Sequence, residues 1–573
     1  MFSHISRISR RILLALPLLS FPLSFPLFAQ PKLVQILDEE LNRNFAALRK
    51  ADPVAYFLSY ELVEQEAQVI TATLGALQSN NTSKSRNVDV SIRVGDPKVD
   101  NYRQIRGDRP QFAGAVSMPL DDEPNAIRRR LWLETDRVFR ASAQRLMNIK
   151  TNQQVKLEGD DKSGDFSPAP PVVKYETVPA LKFDSKLWQD RARKWSLYFS
   201  DKPEVLASSV VVIGQREIKT LVNTEGTKLQ HGRQYARIMI VARGKASDGM
   251  NLSASETFEA EDPSRFPDDK AVQKAVEKVH QKLAALLKAP LAEPFTGPAI
   301  LSGKAAGVFF HEIFGHRIEG HRQKDETEGQ TFTKMVGQKI LPDFLSVKMD
   351  PTLHQLAGID LYGWFNFDDE GVKARPVSVV KAGTLENFLM SRSPINGFPE
   401  SNGHGRKQLG AEVVARQSNL VVESSKAVSP ADLRKQLIEE IKKQNKPYGL
   451  YFEEVSSGFT ITSRRGLQGF QVAPVMVYKI FADGKPDQLI RGSDIVGTPL
   501  TSFAKIALTS NETTVFNGYC GAESGQVPVS ASAPALLVTE IEISLRERSQ
   551  ERPPYLERPT AANISANIPG AAL

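Results

Sequence analysis

Residues 307–316 read Gly-Val-Phe-Phe-His-Glu-Ile-Phe-Gly-His, and this stretch holds the most informative chemistry in the chain. The order His311, Glu312, His316 is that of the His-Glu-x-x-His metal site, except that three residues separate Glu312 from the second histidine. In a regular α-helix, residues five apart lie about 140° apart around the axis, whereas residues four apart lie about 40° apart. Both imidazoles can therefore meet one metal ion only if the helix is widened or broken between them, which Gly315 permits.

The N-terminus predicts export. Arg7, Arg10 and Arg11 precede an apolar stretch over residues 12–29, and no acidic residue lies among them. This order of a basic region, an apolar region and a small residue, Ala29, is typical of a secretory signal. We therefore predict a cleaved signal peptide over residues 1–29 and a protein exported to the bacterial periplasm.

Two alternatives concern this N-terminal segment. A membrane-spanning helix is disfavoured because Pro17, Pro22 and Pro26 each remove a helix hydrogen bond in a segment barely long enough to span a bilayer. The adjacent pair Arg10 and Arg11 fits a twin-arginine signal and an ordinary basic region equally well, so the export route stays open.

Composition limits the classes of protein to consider. With 41% hydrophobic and 24% charged residues, the chain is a folded protein and not a disordered or fibrous one. Residues 1–29 contain three arginines and no acid, so their removal lowers the formal charge from +7 to +4. The remaining charges are well mixed, which predicts no nucleic-acid partner. No second apolar run of spanning length follows, which predicts no permanent membrane anchor.

At 573 residues the chain should form two or three domains. Amphipathic helices are predicted at 35–48, at 126–147 and from Asp268 to Pro290, with β-rich runs between 56 and 94, at 210–213 and at 236–241. Residues 158–171, rich in Gly, Asp, Ser and Pro, are interpreted as a linker or exposed loop. The predicted segments are an N-terminal α+β domain (30–171), a β-rich middle region ending in a long helix (172–290), a C-terminal domain (291–547) and a disordered tail (548–573).

A catalytic zinc site normally has three protein ligands and a water molecule, so a third ligand is needed. Cys520 is the single cysteine, and an unpaired thiol in an exported chain needs an explanation. Its neighbours predict a tight loop, from which a thiolate can approach a helix-borne pair of imidazoles. The other candidates for the third ligand are His321, His354, His404, Glu319 and Asp368.

Several ordered segments resemble the TldD/PmbA metallopeptidase family, closely over residues 301–542. They are Leu301–Val308 leading into His311-Glu312, Asp368–Val372, Gly383-Thr384-Leu385, Gly403–Arg406 with His404 in place of the family's Asn, and Tyr519-Cys520-Gly521 with Val527-Pro528-Val529. The chain departs from the family's cytosolic members in its predicted signal peptide.

The resemblance implies one Zn²⁺ per chain, bound by His311, His316 and Cys520, with Glu312 as the general base. It also implies an α+β fold, with a mixed helix and sheet N-terminal domain and a larger β-rich C-terminal metallopeptidase domain. The implied assembly is a dimer, with a second copy or with a related TldD/PmbA subunit, around a cavity that admits unfolded peptides. Because the ligands are present, the resemblance implies the catalytic type of subunit.

Three further residues receive predicted roles. Arg406, with its neighbour Gly405, is predicted to bind substrate, the guanidinium facing either a substrate carboxylate or a developing oxyanion. Glu319 is predicted to orient a ligand histidine. The alternative function is a non-catalytic subunit that binds peptides or stabilises a partner and holds a structural metal. A redox role for Cys520 would need a second cysteine, which the chain lacks.

Overall fold

The computed structural model describes residues 30–105, 108–153, 161–464 and 469–546, together with 552, 554, 556, 558 and 559. The predicted signal peptide lies outside the described residues, as does most of the predicted tail. Within the described residues, none of the helices combines the length and the apolar character needed to cross a bilayer.

The helices are α1 (Lys32–Leu48), α2 (Pro124–Gln153), α3 (Ser185–Leu197), α4 (Asp269–Lys288), α5 (Gly303–Ile313), α6 (His321–Lys324), α7 (Pro430–Lys443) and α8 (Pro499–Ala504), with 3-10 helices at Pro263–Arg265 and Gly315–Ile318. The first strands are β1 (Ala55–Thr73), β2 (Ala76–Asp96), β3 (Val99–Asp100), β4 (Val116–Ser117), β5 (Val173–Tyr175), β6 (Ala207–Asn223), β7 (Lys228–Lys245) and β8 (Asn251–Ala260). The remaining strands are β9 (Phe295–Leu301), β10 (Leu345–Met349), β11 (Gln355–Leu356), β12 (Ile359–Asp360), β13 (Val377–Lys381), β14 (Thr384–Leu385), β15 (Gly405–Arg406), β16 (Val414–Ala415), β17 (Asn419–Ser424), β18 (Ala427–Val428), β19 (Gly449–Thr460), β20 (Phe470–Ile480), β21 (Gln488–Ile490), β22 (Ser493–Gly497), β23 (Ile506–Ala522) and β24 (Gly525–Leu545). The predicted α+β class is confirmed.

The predicted long helix forms where its periodicity places it. The Asp268 side chain accepts a hydrogen bond from the backbone N–H of Ala271 at 2.8 Å and so caps the first turn of α4. Val272, Val276 and Val279 lie three to four residues apart and are fully buried against the first sheet. The helix ends at Lys288, two residues before Pro290.

One eight-stranded sheet spans the first half of the chain, in the order β3-β2-β1-β6-β7-β5, with β4 beside β2 and β8 beside β7. Strand β1 pairs antiparallel with β6 from Ser59–Asn223 to Ala72–Val210. The predicted boundary between residues 171 and 172 therefore divides strands of a single sheet and needs correction. Pairing between strands about 150 residues apart leaves no local signal in the sequence.

The described part of the predicted linker, residues 161–171, is also corrected. Its backbone is irregular, as the composition predicted, but Asp165, Phe166 and Ser167 are buried. The guanidinium of Arg392 lies 3.9 Å from the ring centre of Phe166, and the backbone N–H of Ser167 donates to the carbonyl of Arg392 at 2.8 Å. This segment therefore packs against the second half of the chain rather than lying exposed.

The second, twelve-stranded sheet lies within residues 295–545 and surrounds helix α5. Strand β9 pairs with both β19 and β24, so β9, β19, β20, β22 and β24 form a closed ring of strands. Every residue of helix α5 except Lys304 is buried. It comes so close to β24 that a Cβ added at Gly307 would lie 2.7 Å from the carbonyl oxygen of Ala531. The ring and this close approach set the position of the His-Glu segment.

Candidate metal centre

Helix α5 breaks between the two histidines. The Ser302 side chain accepts the N–H of Ala305 at 3.2 Å and begins the helix, which ends at Ile313. Phe314 leaves helical geometry, with φ −119° and ψ −54°, and a 3-10 helix begins at Gly315. A side chain at Gly315 would overlap the buried amide of Gln417. The break predicted from the five-residue spacing is therefore present, and close packing explains why glycine occupies it.

The structure brings His311, His316 and Cys520 together. All three are buried, and their ligand atoms lie within 4.8 Å of one another. The Cys520 Sγ lies 3.4 Å from His316 Nε2, and the two imidazole rings are nearly perpendicular, with centres 5.1 Å apart. Ligand atoms around a tetrahedral zinc ion with bonds of about 2.0–2.3 Å are separated by roughly 3.3–3.8 Å. The donor set and its spacing therefore fit a transition-metal ion with small adjustments of the side chains.

The local structure around Cys520 differs from the predicted loop. Cys520 belongs to strand β23 and pairs with Val527 of β24, and the turn comes later, at Glu523 and Ser524. Gly525, with φ +79°, begins the returning strand. The glycines beside the cysteine suggested a turn, but cross-strand pairing within a long hairpin overrides that local preference.

The electrostatics of the cluster favour the thiolate form of Cys520. Burial by itself would raise the pKa of the Cys520 thiol, but the neighbouring His316 and His311 outweigh burial and hold that pKa well below its ordinary value. Burial likewise opposes charge on His316, yet Cys520 and Glu319 raise the pKa of its imidazole well above the usual range. The thiol is therefore held as the thiolate, which is the form that binds metals.

Glu312 lies next to the ligands in the wall of a cavity of about 370 Å³, which is also lined by His311, His316 and Cys520. Gly458 of β19 packs against its side chain, because an added Cβ there would lie 2.7 Å from Glu312 Oε1. Burial raises the pKa of the Glu312 carboxyl, while His311 and His316 oppose that rise. The carboxyl group is thus placed to exchange a proton with a molecule in this cavity.

The Glu319 carboxylate lies between His316 and the buried guanidinium of Arg416. Its carboxylate lies 3.4 Å from His316 Nδ1, accepts a hydrogen bond from Arg322 Nε at 2.9 Å and lies 3.4 Å from Arg416 Nε. Burial would raise its pKa, but His316 and Arg322 lower the pKa of Glu319 to about 2. The predicted position beside a ligand histidine is therefore observed.

Arg416 was not singled out by the sequence. It is fully buried, and its Nη2 donates to the carbonyl of Cys520 at 2.6 Å while its Nη1 donates to Ser524 Oγ at 2.7 Å. Together with Glu319 it joins the Cys520 hairpin to His316. No spacing or motif marks this arginine, because its role depends on two segments more than 90 residues away in either direction along the chain.

The other candidate ligands lie elsewhere, and within the described residues only one cluster of this kind, the His311–His316–Cys520 group, is found. His321 Nε2 contacts the Glu523 carboxylate, and His354 lies near the surface, 2.8 Å from Glu261. His404 is buried 3.1 Å from Ser418 Oγ, and burial lowers its pKa to about 3. Asp368 accepts backbone N–H groups, including that of Gly405 at 2.9 Å.

The two predicted substrate-binding residues differ in accessibility. Both backbone polar groups of Gly405 are already bonded, the N–H to Asp368 and the carbonyl to the N–H of Asp369 at 2.9 Å. These bonds give Gly405 a structural role, and its contact with substrate stays a prediction. The cavity of about 370 Å³ beside His311, His316 and Cys520 is called the metal cavity below. Arg406 lines a second cavity, of about 400 Å³, and Tyr519 lines both cavities.

Comparison with known proteins indicates the class of protein to which the chain is similar. Residues 295–545 match the family described as "PmbA/TldA metallopeptidase C-terminal domain". A metalloprotease of Methanocaldococcus jannaschii is 27% identical over 234 residues, which are 40% of this chain and 47% of the relative. A zinc metalloprotease TldD homolog of Saccharolobus solfataricus is 26% identical over 249 residues, 43% of this chain and 51% of the relative. The matched segment thus spans about half the length of these curated relatives.

Among solved structures, TldE from Thermococcus kodakarensis has a TM-score of 0.59 at 15% identity, covering 89% of this chain and 100% of that one. This likeness concerns the fold. The fold and the His/His/Cys centre together define the class, a chain related to proteins named metalloproteases. Residues 295–545 match the C-terminal domain of the TldD/PmbA family, so this part of the chain is similar to that family.

Proposed function

We propose that this protein is an exported zinc metallopeptidase that hydrolyses unfolded peptides. The observation that carries the proposal is the convergence of His311, His316 and Cys520 within 4.8 Å, in a cavity wall that also contains Glu312. A relative from Saccharolobus solfataricus carries the name zinc metalloprotease, which supports the choice of metal.

Within this proposal the two imidazoles and the thiolate hold Zn²⁺, because this set of donors suits zinc better than magnesium or calcium. The bound ion would supply a Lewis acid for the scissile carbonyl and a water molecule with a pKa of about 7. Glu312 would accept a proton at its carboxylate and pass it to the leaving amine. Glu319 keeps the ring of His316 in one orientation by holding Nδ1.

Export and assembly are part of the proposal. The basic and apolar residues 1–29 support export to the periplasm. A dimer, with a second copy or a related TldD/PmbA subunit, would enclose the metal cavity and limit entry to unfolded chains.

Sedimentation of the periplasmic fraction should therefore find the mature protein at about twice its monomer mass. A monomer with full activity would remove the dimer from the proposal.

We expect the purified protein to carry about one zinc or similar transition-metal ion per chain, because three buried donor atoms converge on one point. Elemental analysis after purification without chelator measures this content. A chelator wash should remove the metal and peptide cleavage together, and added Zn²⁺ should restore both. Protein that contains no transition metal yet cleaves peptides would contradict the metal proposal.

We expect Glu319→Gln to weaken zinc binding by about 10- to 100-fold, the usual effect of changing a residue that orients a metal ligand. Glutamine has nearly the same shape, but it carries no charge to hold His316 Nδ1 and Arg416. Competition with a fluorescent chelator measures the affinity. Glu293→Gln, whose side chain is 76% exposed, is the control and should bind zinc normally. Equal affinities in the two variants would show that Glu319 has no role at the metal.

A further inference from the structure

The second cavity, of about 400 Å³, is separate from the metal cavity but next to it, since Tyr519 lines both. Its volume falls within the range of about 300–1,000 Å³ that is usual for small-ligand sites. Aromatic residues, among them Tyr362, Trp364 and Phe365, form part of its wall, and the guanidinium groups of Arg406 and Arg233 form another part. The wall therefore combines aromatic rings with charged groups, a combination that can contact an apolar side chain and fix a polar end of the same ligand.

Arg406 is a buried cation without a carboxylate partner. Its side chain is only 6% exposed, its Nη1 donates to the carbonyl of Gln417 at 2.6 Å, and its guanidinium lies 4.7 Å from the ring centre of Phe365. In the part of the chain that the structure describes, it forms no ion pair. Burial lowers its pKa to about 9, although Asp369 opposes this shift at longer range. A buried charge normally needs a charged partner.

Arg233 lies in the wall of the same cavity and is half-buried. Its Nη1 donates to the carbonyl of Tyr362 at 2.9 Å, and its guanidinium lies 5.2 Å from the ring centre of Tyr362. Among the described residues it too lacks an ion-pair partner. The two guanidinium groups are close enough to repel each other, because Arg233 contributes to the lowered pKa of Arg406. Two neighbouring guanidinium groups that form no ion pair with a carboxylate of the described residues favour the binding of an anion.

Two carboxylates of this cavity wall, Asp369 and Glu61, are held by lysines. Asp369 contacts Lys219 Nζ and accepts the backbone N–H of Lys407 at 2.8 Å. Glu61 lies 3.0 Å from Lys407 Nζ and 3.7 Å from Lys219 Nζ. Asp369 and Glu217 attract the two arginines only at longer range, and within the described residues neither forms an ion pair with them. The two guanidinium groups can therefore still bind an anionic ligand directly.

We propose that Arg406 and Arg233 bind the C-terminal carboxylate of the peptide substrate. The guanidinium group matches a carboxylate in geometry and charge, and the aromatic wall would contact the terminal side chain. Hydrogen bonds through Gln417 link Arg406 to His311. The carbonyl of Gln417 accepts a hydrogen bond from Arg406, and its Nε2 donates one to the carbonyl of His311 at 3.3 Å. Resting on the proposed peptidase function, this inference makes peptides with a free C-terminus near the scissile bond the preferred substrates.

The test measures binding rather than cleavage, with the zinc-loaded full chain carrying Glu312→Gln so that the peptide survives. Two fluorescent peptides of the same sequence, one ending in a free acid and one in an amide, are compared by polarisation. We expect the acid to bind about tenfold to a hundredfold more tightly, because a charge-assisted hydrogen bond to a buried arginine is lost in the amide. Arg406→Gln and Arg233→Gln should each reduce this preference.

Arg216→Gln is the matched control, since this arginine also donates to a backbone carbonyl, that of Val178, but does not line the cavity. It should leave the preference for the acid unchanged. The comparison of acid with amide needs no arginine variant, so the test stands even if Arg406→Gln does not fold. Equal affinities for the two peptides would overturn the proposal.

A second pair of peptide amides, ending in glutamate or glutamine, separates the two sources of a carboxylate. If these differ and the acid and amide do not, the cavity reads an acidic side chain and the assignment to the C-terminus is wrong. If the free acid binds more tightly but the wild-type protein cleaves no peptide, the carboxylate site stands and the peptidase proposal fails.

Discussion

Glu312→Gln should reduce peptide hydrolysis by about a hundredfold to ten-thousandfold while zinc content and melting temperature stay close to those of the unchanged protein. The amide cannot accept a proton from water at neutral pH, and losing one general base typically has an effect of this order. Because glutamine is nearly isosteric with glutamate, its contact with Gly458 and the three metal ligands should persist.

Zinc content, melting temperature and peptide cleavage should be measured on the same preparation, with Glu293→Gln as an exposed control. Full zinc, an unchanged melting temperature and unimpaired cleavage would remove Glu312 from the mechanism. A lower melting temperature with normal specific activity would show that Glu312 only stabilises the structure around helix α5. Zinc-loaded wild-type protein that binds peptides without cleaving them would favour the alternative of a non-catalytic subunit.

Cys520→Ala should lower zinc affinity by more than the roughly 10- to 100-fold that is typical of residues behind the ligands, and cleavage should fall with it. Alanine removes one of the three donor atoms, and the remaining imidazoles would hold the ion less tightly. The thiol is buried against Val527 and Val529, so a modest loss of stability is also expected. Adding zinc at high concentration should restore part of the activity.

His321→Ala is the matched control, because this histidine is also buried and lies close to the metal cavity. Its Nε2 contacts Glu523, whose carboxylate is also held by Arg322 at 2.7 Å, so its loss should alter stability more than zinc content. If His321→Ala strips the metal and Cys520→Ala does not, the assignment of the third ligand is wrong. If neither variant changes zinc content, Cys520 is an inert buried residue.

The local elements follow from the sequence because each depends on nearby residues. The apolar spacing of α4, its cap at Asp268 and its end before Pro290 are all visible in a window of about 20 residues. The same is true of the break in α5, since the five-residue spacing of His311 and His316 and the position of Gly315 imply it. His311, Glu312 and His316 could likewise be chosen from their types and spacing, whereas the resemblance to the TldD/PmbA family selected Cys520 among the candidates for the third ligand.

The arrangement of these elements depended on contacts between distant segments, which no local window contains. The boundary predicted at residue 171 divides a sheet in which β1 and β6 pair with each other. Cys520 was predicted to lie on a loop, but it lies in a long hairpin. The roles of Arg416 and Arg406 depend on which carbonyls and carboxylates surround each buried guanidinium. Sequence therefore determined which side chains could bind a metal and move a proton. Only the tertiary structure decided which buried charges are paired and which remain for a ligand, because pairing depends on distances of a few ångströms between residues far apart in the chain.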